Sequence, residues 1–358
     1  MGTDDRARYD AAGLKEFGTD LFSKAGMPED RAAIVSKYLL EADLMGHDTH
    51  GFAQSPRYLR HTMSGEMPPL GEPQVLQDKG PCLTWDGNYM SGVWLTYKAV
   101  KEATARAKQF GMGAISIRRS HHIACLAAFL PLATDEGCVI SLLSSDPAAS
   151  GVAPYGAVEQ VFTPNPMAYG IPTGEDAGGD PILVDISASI TTLGMSHRMI
   201  GLGQPMAGEW FIDNKGNPSN DPAVLKDDPP GALLTLGGMD AGHKGFGLAL
   251  MVEAMTSGIG GFGRADNATS TGASVFVQVT DPDAFGGKEA FLREVSHTAN
   301  ACRNARVPDG KPPVRLPGDG ALARKRAALA EGVPLYPGIL PSLEPIAQEL
   351  GVAMPQPI

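Results

Sequence analysis

Residues 258–263 read GIGGFG, which matches the GxGxxG spacing of a dinucleotide cradle letter for letter. Such a cradle works only between a strand and a helix. The strand delivers the tight turn, and the helix aims free N–H groups at phosphate. Here the residues before it, 245–257, carry a helical pattern, and RADNATSTG after it does not. We read the stretch as a helix stop and a loop. No other segment supplies the fingerprint, so the fold is expected to be α/β without a Rossmann nucleotide site.

The surrounding chain alternates. Strand candidates are CLTW (82–85), GAISI (113–117), VISLLS (139–144), ILVDI (182–186) and ASVFVQV (273–279). Helix candidates are 93–110, 126–136, 245–257 and 286–305. Residues 201–242 are rich in Gly, Pro and Asp and read as a long excursion of loops. Before residue 65 the pattern is helical. Leu14, Phe17, Leu21 and Phe22 mark one apolar stripe, and Ile34, Val35, Tyr38, Leu39 and Ala42 mark the next. Ser55-Pro56 reads as the start of a third helix. GEMPPLGEP (65–73) is a plausible boundary. Helix-like segments recur at 319–331 and 341–351.

At 358 residues the chain is long for one core. The expected division is an N-terminal helical domain (1–75), an α/β domain (76–295) and a C-terminal segment (296–358). Apolar residues make up 43% and charged residues 19%, as in water-soluble globular proteins. A net charge of −11 argues against a nucleic-acid partner. Cys82, Cys125, Cys138 and Cys302 form no CxxC and read as reduced thiols. MGTDDRARYD is too polar for a signal peptide, and no apolar run approaches the roughly 20 residues of a membrane span. A cytoplasmic protein is expected.

Three stretches carry candidate chemistry. GHDTHG (46–51) places His47 and His50 three residues apart between glycines. That suits a metal pair, an acid/base histidine or a capped turn. Ser120-His121-His122 follows GAISI, at the strand end where α/β proteins often place sites. GGMDAGHKGFGLALMVEAM (237–255) carries His243 and Lys244 at a glycine-rich helix start. That is either an anion site or a flexible turn.

Laid end to end, these segments resemble the malate/L-lactate dehydrogenase family of the sulfolactate, ureidoglycolate and diketogulonate dehydrogenase type. EADLMGHDTHGFAQSPRYL (41–59) is similar to aDlrGxxSHGxxRxxxY, and ISIRRSHHIA (115–124) to vrnSxHfG. FTPNPMAYGIP (162–172) is similar to fGTNPxaxxxP and ILVDISAS (182–189) to the DxAtS strand. GHKGFGLALMVE (242–253) is similar to GxKGxGLxlmvE and LPGD (316–319) to a late PGE.

The resemblance implies an oxidoreductase using NAD or NADP in a non-Rossmann nucleotide-binding sheet domain, beside a helical domain built from both chain ends. It implies a homodimer and a small 2-hydroxy/2-oxo acid or related imine as substrate. His122 falls on the family's proton-transfer histidine and His50 on a catalytic-pocket histidine, with no metal. Ser145, Asp146, Asp185, Ser187, Ser189, His243, Lys244 and the Pro317-Gly318-Asp319 turn fall on cofactor-lining motifs. His197 and Arg198 suit either a 2′-phosphate contact or a surface loop.

The departures bear on the substrate. Thr49 replaces the family serine and keeps the hydroxyl. Gln54 replaces an arginine that holds the substrate carboxylate in several members. Either Arg57 takes over that grip, or the substrate lacks a carboxylate there. Pro56 sets Gln54 outside the helix, so it need not share a face with Arg57. That favours a substrate other than plain malate or lactate. Two other readings stand beside this one: a metal-dependent hydrolase using His47, His50 and His122, and a non-catalytic nucleotide-binding relative.

Overall fold

The protein is described as a computed structural model covering residues 6–270 and 272–358. Asp10 accepts a hydrogen bond from Gly13 N–H and starts α1 (Ala11–Lys24), whose stripe Leu14, Phe17, Leu21 and Phe22 is buried. That face packs on α2 (Glu29–Met45). A third helix, α3 (Ser55–Ser64), follows with Pro56 in its first turn.

Seven strands form the main sheet: β1 (Gln74–Lys79), β2 (Cys82–Asp86), β3 (Met112–Ser120), β4 (Val139–Ser145), β5 (Pro166–Ile171), β6 (Ile182–Ser187) and β7 (Ala273–Thr280). Their order is β1-β2-β3-β7-β4-β5-β6. Only β2 and β3 run parallel, joined by α4 (Gly92–Phe110); every other pair is antiparallel. The fold is therefore a mixed α/β sheet without the parallel βαβαβ half of a Rossmann domain. β7, late in sequence, sits in the middle and buries Val275, Val277 and Val279. Each contributes roughly 1.5–3 kcal/mol of apolar burial.

The helices that follow are α5 (Leu193–Leu202), α6 (Gly238–Glu253), α7 (Lys288–Arg303), α8 (Asp319–Glu331) and α9 (Ile339–Leu350). α8 packs on α2, where Lys325 pairs with Glu41 at 2.7 Å and Arg324 Nε donates to the Met45 carbonyl at 3.0 Å. α9 packs on α3 and α1. Residues 8–9 pair with 333–334 as a short ribbon. α7 lies instead against 174–177, where Ser296 Oγ accepts from Gly174 N–H.

Several elements differ from the sequence expectation. β1 reads QVLQDK, a polar edge strand with no apolar alternation to announce it. β5 opens on Pro166 and holds Gly170, which disguise it. The 126–136 helix is a 3₁₀ turn at Ala127–Phe129 and one short turn at Pro131–Thr134. The 201–242 excursion contains a small sheet of three two-residue strands. GIGGFG follows a π-helical turn at Ala254–Gly258 and leads into a 3₁₀ turn, so it is a helix stop and loop as read.

Candidate active site

The GHDTHG turn is built by its own glycines. Gly46 ends α2 at φ +83°, and a Cβ there would lie 2.5 Å from Arg324 Nε. A Cβ on Gly51 would lie 2.3 Å from the Asp43 carboxylate, which accepts from Phe52 N–H at 2.8 Å. The turn can therefore press against both, and His50 projects from it. Thr49 Oγ1 lies 2.8 Å from His50 Nδ1. Asp48 is gripped by Arg198 of α5 at 2.9 Å, and Arg198 also stacks 3.8 Å over Tyr336. Arg198 is thus tied into the protein. His197 is exposed.

His122 stands opposite His50, ring centroids 5.9 Å apart. Its Nδ1 lies 2.5 Å from the Tyr58 hydroxyl and 3.3 Å from Ala124 N–H. Tyr58 Oη is also 3.3 Å from the His122 carbonyl, so its proton has two acceptors. Ala124 has φ +60°, a left-handed value at the position where the family motif carries glycine. The histidine doublet splits here. His121 turns away and meets His61, Nε2 to Nδ1 at 2.9 Å, and its own Nδ1 is buried without a partner among the described residues.

Arg57 is the cation of this pocket. Its Nη2 donates to Gln54 Oε1 at 2.9 Å, and Gln54 Nε2 donates to the Thr49 carbonyl at 2.7 Å. Gln54 and Arg57 therefore share a face, contrary to the expectation drawn from Pro56. Residues 52–54 already form a 3₁₀ turn that runs into α3, which sets Gln54 three residues before Arg57 on one continuous turn. Arg57 Nε is buried with no partner among the described residues. A buried guanidinium donor left unpaired costs about 1–3 kcal/mol, so this arrangement favours an anion beside it.

Burial, together with the charge of Arg57, holds the histidines neutral. Burial, then His47 and Arg57, push His50 down to about 4. Burial, then Arg57 and His61, bring His121 to about 3. His122 lies well below the ordinary histidine value because of burial, with Arg57 and His50 adding. Burial also raises Tyr58 above its ordinary value. Asp43 is raised to about 8 by burial, with Asp48 adding, which favours the neutral form of the carboxyl under Gly51.

Most of the other expected site residues are engaged internally. Ser145 Oγ meets Thr256 and Ser257 hydroxyls at 2.8 and 3.1 Å. Asp146 Oδ1 accepts from Ala148 N–H at 2.9 Å. Ser187 Oγ donates to the Ser189 carbonyl at 3.0 Å, and Ser189 Oγ to the Thr191 carbonyl at 2.6 Å. Asp185 Oδ2 accepts from Ala127 N–H at 2.8 Å. In the 317–319 turn the Pro317 carbonyl accepts from Leu183 N–H at 3.0 Å, and Asp319 pairs with Arg303 at 2.9 Å. α6 starts at Gly238 and bends at Ala241, so His243 and Lys244 lie past the first turn, both exposed. His243 stacks edge-on against Tyr155 at 5.7 Å. Among the described residues His47 does not close on His50 and His122; it meets Cys125 and Asp185 instead.

Three contributors went unsingled in the sequence. Tyr58 had a signal, since it occupies the tyrosine of the motif it resembles. Asp43 had one too, as the aspartate of the same motif. Cys125 had none.

A fold and pocket of this kind define a class before they define a protein. The sequence model of the malate/L-lactate dehydrogenase family matches residues 9–344, and the chain belongs to that family. A malate dehydrogenase of Pyrococcus horikoshii is 30% identical, covering 95% of this chain and 94% of its own. Hydroxycarboxylate dehydrogenase B of Escherichia coli O157:H7 is 28% identical over 96% and 95%. Among solved structures, malate dehydrogenase from Entamoeba histolytica superposes with a TM-score of 0.91 at 25% identity, over 98% of this chain and 100% of that one. The chain is an oxidoreductase of the kind that acts on CH–OH groups. Among the described residues no helix is long and apolar enough to cross a membrane.

Proposed function

We propose that the protein is an NAD(P)-dependent dehydrogenase that moves a hydride between the nicotinamide and a small 2-hydroxy/2-oxo acid or related imine. One observation carries this reading: Arg57, with a buried unpaired Nε, faces the His50–His122 pair. A substrate carboxylate on Arg57 would set the adjoining hydroxyl or carbonyl carbon beside the two imidazoles. NAD or NADP supplies the hydride acceptor or donor when bound. The residues fit that group on two counts. Lys244 offers an exposed ammonium to phosphate, and Tyr155 beside His243 offers an exposed aromatic face. The serines and Asp319 hold the surrounding turns in shape.

His122 moves the proton. It is neutral at pH 7, and its Nε2 is the free ring atom, because Nδ1 is turned to Tyr58 and Ala124. When the Tyr58 hydroxyl donates to the His122 carbonyl and Nδ1 gives up the bond from Ala124 N–H, Nδ1–H donates to Tyr58 and Nε2 is a base for a substrate hydroxyl. When Tyr58 donates to Nδ1, Nε2 carries the hydrogen and offers it to a substrate carbonyl. Tyr58 thus serves both directions. His50, oriented by Thr49, hydrogen-bonds the reacting oxygen.

The proposed domain division keeps 1–75 as the helical part and joins to it the C-terminal stretch from α8 onward, on the α8–α2 and α9–α3 contacts. A homodimer is part of the reading. Met239, Leu250 and Met251 of α6 stand exposed, apolar surface that a second copy would cover. The cytoplasm is the proposed compartment. The test is oxidation of NADH and NADPH with a panel of small 2-oxo acids and cyclic imines. Cofactor binding without turnover on any of them would overturn the assignment in favour of a non-catalytic relative.

A further inference from the structure

The histidine that does not enter the pocket has found other company. His47 follows the end of α2, Cys125 follows the left-handed Ala124, and Asp185 lies on β6. One nitrogen, the sulfur and one carboxylate oxygen all lie within 4.8 Å of one another. Cys125 Sγ and Asp185 Oδ2 are 3.7 Å apart. Three separate segments converge here, and none of the three side chains belongs to the proton-transfer pair.

We propose that His47, Cys125 and Asp185 bind one transition-metal ion of the zinc class. The donor types select it: thiolate, imidazole and carboxylate together suit borderline-soft divalent ions and not Mg²⁺ or Ca²⁺. The spacing fits as well. Bond lengths of about 2.0–2.3 Å to zinc place tetrahedral donors about 3.3–3.7 Å apart. The Cys125–Asp185 edge already has that length, and the others close by about 1 Å, within reach of side-chain rotation. Asp185 is held by the Ala127 N–H, the outer-shell hydrogen bond that orients a ligating carboxylate. Three protein ligands leave a fourth position for water.

In the metal-free protein Cys125 is a thiol, because burial and then Asp185 push it well above its ordinary value. Binding forms a metal–sulfur bond, and the thiol proton leaves to solvent. The two-electron balance is unchanged, so no oxidant is involved. The ion would bridge the turn three residues before His50 and the turn three residues after His122. The site stands independently of the hydride-transfer reading.

The test uses the full chain, stripped with chelator and titrated with Co²⁺. The expected result is one ion per chain, a near-ultraviolet thiolate-to-cobalt charge-transfer band, proton release, and affinity that rises with pH. Zn²⁺ should displace the cobalt and erase the band. Cys125→Ser should lose the band. His47→Gln, on the half-buried turn, should weaken cobalt binding at least ~100-fold, beyond the loss expected from an outer-shell partner. Absence of the band in the native chain overturns the proposal. So does a band that persists in Cys125→Ser, or unchanged affinity in a His47→Gln variant whose circular dichroism is native.

Discussion

Two sets of polar groups, those around GHDTHG and those around 187–189 and 317–319, differ in what they are doing. Around GHDTHG, buried donors are left over: Arg57 Nε and His121 Nδ1 have no partner among the described residues. The histidines there are held neutral. Around 187–189 and 317–319, hydroxyls and carboxylates are satisfied by the protein's own backbone and by Arg303. Unpaired buried groups are costly, and Arg57 Nε is one that a substrate anion would complete. Satisfied ones build walls. The difference separates chemistry from scaffolding more sharply than the motifs did.

The largest effect should come from His122. His122→Asn should lower turnover at least ~100-fold while cofactor binding, read by nucleotide fluorescence, stays intact. The wild type adds a pH signature. A histidine whose value is depressed in the folded enzyme stays a neutral base as pH falls through 6.5. For oxidation, kcat/KM should therefore hold level from pH 7 to 6 and decline only at more acid pH. A decline centred on 6.5 would place the proton elsewhere.

Arg57 comes next. Arg57→Gln removes the charge on the unpaired side of the pocket, and carboxylate recognition should weaken by 1.5–3 kcal/mol, roughly 10- to 150-fold in kcat/KM. Gln54→Arg should bring no gain on small 2-oxo acids, because Arg57 already occupies that face. A clear improvement would restore the earlier reading of position 54. Tyr58→Phe removes one hydrogen bond to His122 and should reduce turnover about 2- to 10-fold in both directions. An effect on KM alone would make Tyr58 a packing residue. The smallest changes belong to the cofactor-lining residues. Lys244→Ala should raise the cofactor KM about 2- to 5-fold. Ser187→Ala should leave kinetics level, and a comparable loss there would erase the contrast between the two sets.

Much of this was legible early. The stripes of α1 and α2 are local 3.6-residue patterns, and a local pattern survives translation into structure. The rejection of GIGGFG rested on its flanks and held, because a cradle requires a strand before it. β1 and β5 were hidden, one mostly polar and mostly exposed and one carrying Pro166 and Gly170, since edge position and close packing come from neighbours. Gln54 shares a face with Arg57 because the chain enters α3 by a 3₁₀ turn, which Pro56 does not exclude.

The sequence by itself determined the family, the α/β class and the two histidines of the pocket, because each sits in a motif whose residues are close in the chain. The tertiary structure alone decided which histidine of each pair faces which. It sent His121 to His61, His122 to Tyr58, and His47 to Cys125 and Asp185. In all three cases those partners lie 60 or more residues away in the chain. No spacing within a motif encodes such a meeting. It is fixed by the packing of helices on the sheet and by the burial that follows, which also holds His50, His121 and His122 neutral.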